Sequence, residues 1–465
     1  MSGEHRSPLP AARLHRSGTV LAGVLVLTLL ALWTAYHSLA VYDRDGGTAG
    51  RLFIAWSVLF LVFALQSVLY HLERPRRPTP EAARRLRELH VAVLMPVYNE
   101  DPGYLRLGLE SLLRQTRPPD SVHIVDDGST SSDYAEVRAW WEEASRAAGV
   151  AGTWRRVPNG GKRRAQAHAV TAGPRADVYV TVDSDSCLAP DALEEVLAPF
   201  ARPRVQSVAG LVTATNNRAG LLVRITDLWF VTCQLVDRSG QSAVGAVMVN
   251  SGPLAAYRAA VVRDNLDGYL NETFLGRPVT FSDDSLLTLY AQERGLTVQQ
   301  PSAVVFTAMP ERWSHFSRMY LRWMRGSTIR SVWRMRYLSP ARPAFWLHLL
   351  RWFQLVLTQL VVGWLLLVEP AVFGNPPPAS MLWIPFLIGW ALGLRYLGLV
   401  RSDEPVRARV LTWLMMPLAT VLAWTVLRWL RWYGIATCAR TGWGTRRHGA
   451  EVSLTGPPPA PAPAP

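Results

Sequence analysis

The sequence has 465 residues, too many for one ordinary domain, with 49% apolar residues and a formal net charge of +14. The basic residues accompany apolar segments, and no helix-turn-helix, zinc-finger or RRM pattern occurs, which argues against nucleic acid as a partner. The three cysteines, Cys187, Cys233 and Cys438, are far apart and lack CxxC spacing, which excludes a disulfide framework and a thiolate zinc site.

Residues 1–72 are predicted to form a transmembrane hairpin. Val20–Leu39 and Leu52–Tyr70 are each apolar and long enough to cross a hydrocarbon core of ~30 Å as a helix. A cleaved signal peptide is the alternative for the first run, but it lacks a small-x-small cleavage site and the second run follows at once. By the positive-inside rule, the arginine-rich stretch 74–87 is expected to be cytoplasmic. Its basic residues are also expected to attract membrane lipids, which are therefore predicted partners.

Residues 73–310 contain no run long enough to span a membrane and predict a cytoplasmic α/β domain. Short β-type runs alternate with helix-like stretches, and the candidate strands are Val91–Met95, Ser121–Val125, Asp177–Val182 and Ser207–Val212. This alternation predicts a mostly parallel sheet covered by helices.

Residues 311–340 are expected to form amphipathic interfacial helices, because Arg312–Arg336 mixes seven arginines with Trp, Met, Tyr and Leu. Residues 341–437 follow as a C-terminal transmembrane region with candidate spans at Phe345–Leu367 and Met381–Val400. Arg407–Tyr433 is broken by Pro417, and we expect a broken or dipping hairpin there. A single crossing would export the basic tail, residues 438–465, which we expect to be cytoplasmic and disordered over Gly456–Pro465.

Acidic residues follow three of the predicted strands, at the point where each strand ends. The clusters are Tyr98-Asn99-Glu100, Asp126-Asp127-Gly128-Ser129 and Asp183-Ser184-Asp185. Ligands of open α/β sheets bind beyond the carboxyl ends of strands, so these groups are expected to converge on one crevice. Carboxylates there suit a nucleoside diphosphate and a divalent metal that bridges its phosphates. Taken one at a time, each cluster could instead be an ordinary turn or the start of a helix.

A glycine-rich, basic segment, Gly160-Gly161-Lys162-Arg163-Arg164, lies between the second and third clusters. Glycines followed by cations allow close approach to a phosphate or a sugar, and a solvated surface loop is the alternative. The GxxxxGK[ST] spacing of a P-loop is missing.

Taken in order, these motifs resemble those of the family-2 inverting glycosyltransferases, which have a GT-A fold. The motifs that carry the resemblance are Pro96-Val-Tyr-Asn-Glu100, the Asp-Asp-Gly-Ser turn, Gly161-Lys-Arg163 and Asp183-x-Asp185. A further set is similar to the branch of hyaluronan synthases and chitin-oligosaccharide synthases: Asn250-Ser-Gly-Pro-Leu254, Asn271-Glu-Thr-Phe-Leu-Gly276, Ser282-Asp-Asp284, Arg322-Trp323 and Trp443-Gly-Thr-Arg446. The resemblance implies a Rossmann-like GT-A domain inserted between N-terminal and C-terminal transmembrane helices.

The resemblance also assigns roles to single residues. Donor binding is expected of Asp127, Lys162, Arg163, Asp183 and Asp185; Asp127 would contact the nucleoside, and Asp183 with Asp185 would hold UDP and its Mg²⁺ or Mn²⁺. Asp284 would be the general base, with Asp283 turned away from it on an extended backbone. Arg322 and Trp323 would bind the acceptor, with an interfacial anchor as the alternative for Trp323. Trp443 and Arg446 would gate the site or contact UDP.

The resemblance implies a multi-pass, UDP-sugar-dependent hexosyltransferase of the plasma membrane that builds and exports a β-linked polysaccharide. Its donors would be UDP-N-acetylglucosamine alone or UDP-N-acetylglucosamine together with UDP-glucuronate. A non-processive or chitin-oligosaccharide-type transferase acting on a lipid or short glycan is the alternative. A non-enzymatic scaffold or transporter would have lost a catalytic carboxylate, and all are present. Three departures bear on acceptor binding and sugar choice: Met319 stands where the family has Gln, Ser285 where Arg is frequent, and Asn250 where Cys is common.

Overall fold

The structure is a computed structural model that describes residues 9–45, 52–441, 450 and 452–454. Four elements precede the α/β domain: β1 (Ala12–Leu14), α1 (Gly18–Asp45), α2 (Phe53–Leu72) and α3 (Pro80–Glu88). Helix α3 begins where Thr79 accepts a hydrogen bond from the N–H of Ala82 and Pro80 fills the first turn, a common way to start a helix.

The α/β domain is built around a sheet whose strands alternate with helices along the chain. Its first half comprises β2 (Val91–Val97), α4 (Pro102–Leu113), β3 (Ser121–Asp126), α5 (Ala135–Ala147), β4 (Ala151–Arg156), α6 (Lys162–Ala172), β5 (Val178–Thr181), β6 (Cys187–Leu188) and α7 (Ala192–Leu197). Its second half comprises β7 (Val205–Ala214), α8 (Leu221–Cys233), α9 (Ser239–Ala243), β8 (Ala255–Arg258), α10 (Ala259–Arg263), α11 (Leu266–Leu270), β9 (Thr273–Phe274), β10 (Arg277–Pro278), α12 (Asp283–Arg294) and β11 (Leu296–Thr307).

The main sheet has eight strands in the order β4-β3-β2-β5-β8-β7-β11-β6. All four predicted strands are confirmed, with ends that differ by one or two residues. Strand β2 is buried along its whole length, as expected of a strand covered by helices on both faces. Four of the seven neighbouring pairs are parallel, and the pairs that β8 makes with β5 and β7 and that β6 makes with β11 are antiparallel. The sheet is therefore mixed, with its parallel core at β4-β3-β2-β5.

Apolar helices flank the domain on both sides in sequence. After the domain come α13 (Trp313–Tyr337), α14 (Pro343–Gly363), α15 (Glu369–Phe373), α16 (Ser380–Gly393), β12 (Leu399–Arg401), α17 (Val406–Leu414), α18 (Met416–Leu422) and α19 (Arg428–Ala436). Four helical segments are long and apolar enough to cross a membrane: Gly18–Arg44, Phe53–Leu72, Pro343–Phe373 and Ser380–Gly398. The fourth ends earlier than predicted, because Leu399–Arg401 pairs as a strand with Ala12–Leu14.

The last apolar segment is bent, as Pro417 predicted. Val406–Leu414 and Met416–Ala436 meet at an angle of 44°. Residues shortly before and after this bent pair contact the α/β domain: Arg401 donates to the hydroxyl of Thr213 at 2.9 Å, and the carbonyl of Thr441 accepts from Thr280 at 2.9 Å.

The arginine-rich segment after the domain forms one helix, α13, where several interfacial helices were expected. It lies between α12 and α19. Arg330 and Arg334 on this helix are buried, at 0% and 3% exposure, so part of its basic face points into the domain and away from any lipid surface. Trp443 and Arg446, and the segment Gly456–Pro465, lie outside the described residues.

Candidate active site

The three acidic clusters of the sequence meet at one edge of the sheet. Strands β3, β2 and β5 are parallel neighbours, so their carboxyl ends lie side by side. The first and third clusters are in contact, because the hydroxyl of Ser184 donates to Glu100 Oε2 at 2.7 Å. Glu100 is only 2% exposed, and its backbone also bonds to the hydroxyl of Tyr134. Glu100 is therefore a buried structural residue that links the first acidic cluster to the third.

Asp127 faces the glycine-rich segment. Its carboxylate accepts hydrogen bonds from the backbone N–H groups of Gly160 (2.8 Å) and Gly161 (2.9 Å). Burial raises the pKa of Asp127, and these two N–H groups oppose the shift. Its neighbour Asp126 lies on the other side, beside a separate cavity of about 390 Å³ that Trp154 also lines. The second cluster thus directs only one of its two carboxylates toward the basic segment.

Lys162 joins the third acidic cluster to the Ser-Asp-Asp motif, which is a hundred residues further along the chain. Its ammonium lies 2.7 Å from Asp183 Oδ1 and 3.1 Å from Asp283 Oδ2. Burial opposes the charged form of the lysine, but the two carboxylates outweigh it and raise the pKa of Lys162. The same contact keeps Asp283 ionised: its pKa is lowered, because Lys162 outweighs the effect of burial.

Asp283 and Asp284 open helix α12, which corrects the expectation of an extended backbone around them. Ser282, at the helix start, has a left-handed φ of 60°. Burial and the neighbouring Asp283 carboxylate raise the pKa of Asp284 to about 6. Asp284 Oδ1 accepts from the backbone N–H of Ser285 at 2.6 Å, a bond that does not depend on the side chain at position 285. The Ser285 hydroxyl donates to the carbonyl of Ser282 at 3.0 Å.

The aspartates of the third cluster are suited to a divalent cation. Asp183 is half-buried at the end of β5, and Asp185 Oδ1 accepts from the hydroxyl of Thr307 at 3.0 Å. Gly252 lies against Asp183, since a Cβ at this position would be 2.9 Å from Asp183 Oδ2. Within the described part of the chain, no cluster of three metal-ligating side chains occurs. Two carboxylates nevertheless fit Mg²⁺, which keeps several waters and takes further oxygens from substrate phosphates.

The structure does not bring Arg163 to the crevice. Its guanidinium donates to the carbonyls of Tyr269 (3.1 Å) and Phe281 (2.6 Å) and to Glu272 Oε2 (2.7 Å). Arg330 of helix α13 binds the same carboxylate at 2.6 Å. Arg163 is 5% exposed, so its contacts tie helix α6 to the loop that leads into Asp283 and Asp284. Glu272 lies within a motif noted in the sequence, yet that pairing was not predicted.

Helix α13, which carries the expected acceptor residues, packs on the Ser-Asp-Asp motif. Gly326 packs on Ser282, and a Cβ at Gly326 would lie 2.5 Å from the Ser282 hydroxyl. Trp323 precedes Gly326 by three residues, so the two share a face of the helix about one turn apart. The Trp323 ring is 40% exposed and packs against Phe230 at 5.2 Å. Arg322 is half-buried beside it.

Met319 lies one turn before Trp323 and is 8% exposed within the apolar core. Its side chain offers only a weak thioether acceptor, so it cannot replace the hydrogen bonds of a glutamine. The other departure, Asn250, is fully buried, and its N–H donates to the hydroxyl of Thr288, which in turn donates to the carbonyl of Asp284 at 2.7 Å.

The crevice therefore combines three kinds of group. Lys162 lies between the carboxylates of Asp183 and Asp283, and Asp183 together with Asp185 is suited to a metal. Asp284 has a pKa raised toward neutrality. An exposed tryptophan follows on the adjacent helix. Such a site can hold a phosphorylated ligand, accept one proton and stack on a planar or sugar-ring surface.

Comparison with known proteins agrees with the motifs. A family model described as "Glycosyltransferase like family 2" matches residues 88–326. A hyaluronan synthase of Streptococcus pyogenes serotype M3 is 32% identical over 431 residues, which is 91% of this chain and 97% of the relative. An N-acetylglucosaminyltransferase of Rhizobium meliloti is 31% identical over 378 residues, which is 79% of this chain and 83% of the relative.

Among solved structures, the chain is similar to the mannosyltransferase PcManGT from Pyrobaculum calidifontis, solved in complex with GDP-Man and Mn²⁺. The TM-score is 0.50 at 19% sequence identity, over 90% of this chain and 98% of that one. At this identity the likeness concerns the fold: a GT-A-like mixed α/β domain.

Proposed function

The chain belongs to glycosyltransferase family 2, and from that premise we propose that it transfers sugars from UDP-sugar donors, with inversion, to build and export a β-linked polysaccharide. Family membership makes the chain a glycosyltransferase with membrane helices. The proposal concerns its sugar donors, its product and the roles of single residues. The observation that carries it is the contact of Lys162 with both Asp183 and Asp283, which joins the donor crevice to the motif that holds Asp284.

Donor binding is assigned to Asp127, Lys162, Asp183 and Asp185. Lys162 is held at the crevice by two carboxylates, and it can turn to the negative charge of a diphosphate when a donor arrives. Asp127 would bind the nucleoside while it keeps Gly160 and Gly161 in place. Arg163 has a positioning role, since its contacts lie beneath the crevice.

Asp183 and Asp185 would hold the divalent cation. A bound Mg²⁺ or Mn²⁺ would neutralise charge that develops on the departing diphosphate. The chain's own part is to supply two hard oxygen ligands at the end of β5 and leave the remaining positions to phosphate and water.

Asp284 would act as the general base. The acceptor hydroxyl oxygen attacks the anomeric carbon of the donor sugar, and the bond from that carbon to the diphosphate oxygen breaks. The hydroxyl proton passes to the Asp284 carboxylate, and UDP leaves with the electron pair of the broken bond. A carboxyl with a pKa of about 6 is ionised at neutral pH and is basic enough to accept this proton.

Trp323 would stack on the acceptor sugar at the entrance to the membrane helices. Its ring is exposed, and it lies one helical turn from the Gly326–Ser282 contact that precedes Asp283 and Asp284. Arg322 beside it would complete acceptor binding.

Export is supported by polar side chains between apolar helices. Gln66 of α2 contacts Gln354 of α14 at 3.4 Å, and Arg428 donates to Gln359 of α14 at 2.9 Å. Polar residues inside a membrane are costly and commonly line a water-filled path. Residues on both flanks of the bent pair, Arg401 and Thr441, contact the α/β domain, so the pair would enter and leave on one side and keep the tail cytoplasmic.

The charge of these helices favours an acidic sugar in the product. Residues 343–368 and 416–436 contain no Asp or Glu, yet they include Arg351, Arg428 and Arg431. None of the three forms an ion pair within the described residues. Arginines without acidic partners suit a polymer that carries carboxylates, and UDP-glucuronate would then be the second donor beside UDP-N-acetylglucosamine.

A non-processive or chitin-oligosaccharide-type transferase is the second candidate. The observation in its favour is Met319, because a buried methionine cannot hold an acceptor by hydrogen bonds as glutamine would.

Incubation of purified protein with each UDP-sugar alone and with both, followed by sizing of the product, tests the proposal. We expect a long polymer only when UDP-N-acetylglucosamine and UDP-glucuronate are both present. Short oligosaccharides from UDP-N-acetylglucosamine alone would establish the second candidate. An absence of incorporation from any UDP-sugar, in protein that still binds UDP, would contradict both.

A further inference from the structure

A basic cleft lies where the second membrane helix joins the α/β domain. It has a volume of about 370 Å³ and is formed by Leu72–Pro78 on one side and by Ala198, Pro199, Ala201, Arg202 and Ala243 on the other. Four arginines line it: Arg74, Arg76, Arg77 and Arg202. We refer to it below as the linker cleft.

Most of the positive charge in the linker cleft is not neutralised by protein. Arg77 pairs with Glu195, and the cleft's own acid, Glu73, pairs with Arg16 at 3.1 Å. The guanidinium groups of Arg74 and Arg76 donate only to backbone carbonyls among the described residues. The Arg202 side chain forms no hydrogen bond or ion pair within that part of the chain, so none of these three guanidinium groups is held by a carboxylate contact.

The linker cleft lies at the level expected for lipid headgroups. Leu72 is both the last residue of helix α2 and part of the cleft wall, and it is 67% exposed. The arginines follow directly, on the side of the membrane that the basic linker marks as cytoplasmic, where lipids are anionic. Apolar wall residues, Pro75, Pro78 and Pro199, give the cleft a surface that suits a glycerol backbone.

The linker cleft is separate from the donor crevice. Residues Ala198–Arg202 lead into the amino-terminal end of strand β7, which begins at Val205, whereas the donor crevice lies beyond the carboxyl ends of β2, β3 and β5. Arg76 joins the cleft to the sheet, because its N–H donates to Gln300 of strand β11 at 2.9 Å. A ligand in the cleft would therefore touch both the membrane hairpin and the catalytic domain.

We propose that the linker cleft binds the phosphate of an anionic phospholipid, with Arg74 and Arg202 as its principal contacts and Arg76 as the residue that fixes the linker to the sheet. Guanidinium groups bind phosphate oxygens in a bidentate manner, so the arginines of the cleft are chemically suited to a phosphate. The bound lipid would anchor the catalytic domain at a fixed height above the bilayer.

The test is a lipid titration that requires no sugar nucleotide, so its outcome is independent of the proposed function. Full-length protein in a neutral detergent is titrated with phosphatidylglycerol, and the bound lipid is counted by native mass spectrometry. Loss of a charge-assisted hydrogen bond to a phosphate lowers affinity by about tenfold or more. The double variant Arg74→Gln/Arg202→Gln is therefore expected to weaken binding by roughly 100-fold.

The double variant Arg84→Gln/Arg87→Gln is the matched control. It removes the same charge from the exposed face of the neighbouring helix α3, outside the cleft. We expect this control to bind phosphatidylglycerol like the wild-type protein, and both variants to melt at the wild-type temperature. An equal loss of phosphatidylglycerol affinity in the two variants would mean that general surface charge binds the lipid, which contradicts the proposal. Unchanged affinity in both variants would show that the linker cleft is not the binding site.

A further comparison distinguishes lipid from a soluble anion. Inorganic phosphate and glycerophosphoglycerol are added at the concentration of the lipid. We expect neither to displace it, since both lack acyl chains. Displacement by either would assign the linker cleft to a soluble phosphate and overturn the proposal.

Discussion

Replacing Glu272 with glutamine should destabilise the α/β domain severely. The Glu272 carboxylate accepts hydrogen bonds from Arg163 at 2.7 Å, from Arg330 at 3.0 Å and from the indole N–H of Trp333 at 2.7 Å. A second nitrogen of Arg330 lies 2.6 Å from Glu272 Oε1 as an ion pair. Arg163 and Arg330 are 5% and 0% exposed, so neither can turn to water when the negative charge is lost. Removing one partner of a buried ion pair costs about 3–5 kcal/mol.

A loss of this size can be measured by thermal unfolding of the purified protein. For a domain of this size, 1 kcal/mol corresponds to about 2–4 °C, so Glu272→Gln should lower the melting temperature by roughly 6–20 °C. Glu81→Gln is the matched control: the same chemical change at an exposed ion pair with Arg85 should leave the melting temperature nearly unchanged. Equal melting temperatures for wild type and Glu272→Gln would refute the reasoning.

The pH dependence of this difference has a definite sign. Burial alone would raise the pKa of Glu272, but Arg330 and Arg163 outweigh it, and the pKa is lowered. A carboxyl with a lowered pKa stabilises the fold above its unfolded pKa of about 4.3 and loses that contribution as the pH falls through the folded value. The gap between wild type and Glu272→Gln should therefore stay constant near neutrality and shrink below pH ~4.3.

Three further predictions concern catalysis and topology. Because Asp284 must be ionised to accept a proton and its pKa is raised to about 6, transfer should fall about tenfold per pH unit below that value. EDTA should abolish transfer, and Mg²⁺ or Mn²⁺ should restore it. Asp183→Asn or Asp185→Asn should raise the metal concentration needed for half-maximal transfer by at least about tenfold. Full turnover in EDTA would contradict the metal assignment. A cysteine placed in loop 374–379, with the three native cysteines replaced, should react with an impermeant maleimide from outside the cell; labelling only from the cytoplasmic side would reverse the topology.

Local patterns were enough to predict the strands and the apolar helices. Strand β2 is a continuous apolar run that ends at a polar cluster, and such a run is readable without knowledge of its neighbours. The family predicted from the motifs is confirmed. By contrast, the three-residue pairing of β1 with β12 joins positions almost four hundred residues apart and has no pattern of its own.

The directions of side chains were harder to predict. Lys162 and Arg163 were both expected to face the donor, but they open helix α6, where successive residues project about 100° apart. Lys162 therefore points to Asp183 and Asp283, while Arg163 points to Glu272. The contacts of Asp283 likewise depend on its place in the first turn of α12, which an extended backbone would not provide.

The central claim is that Asp284 accepts the proton of the acceptor hydroxyl, and the most direct measurement compares Asp284→Asn with Asp283→Asn for sugar transfer and UDP binding. Asparagine keeps the shape of the side chain and removes its basicity, so Asp284→Asn should lower transfer by about 10²–10⁴-fold while UDP binding survives. Asp283→Asn should weaken UDP binding, because Asp283 holds Lys162 at 3.1 Å. Near-normal transfer by Asp284→Asn together with loss of transfer in Asp283→Asn would move the base to Asp283, and normal transfer by both variants would contradict the mechanism.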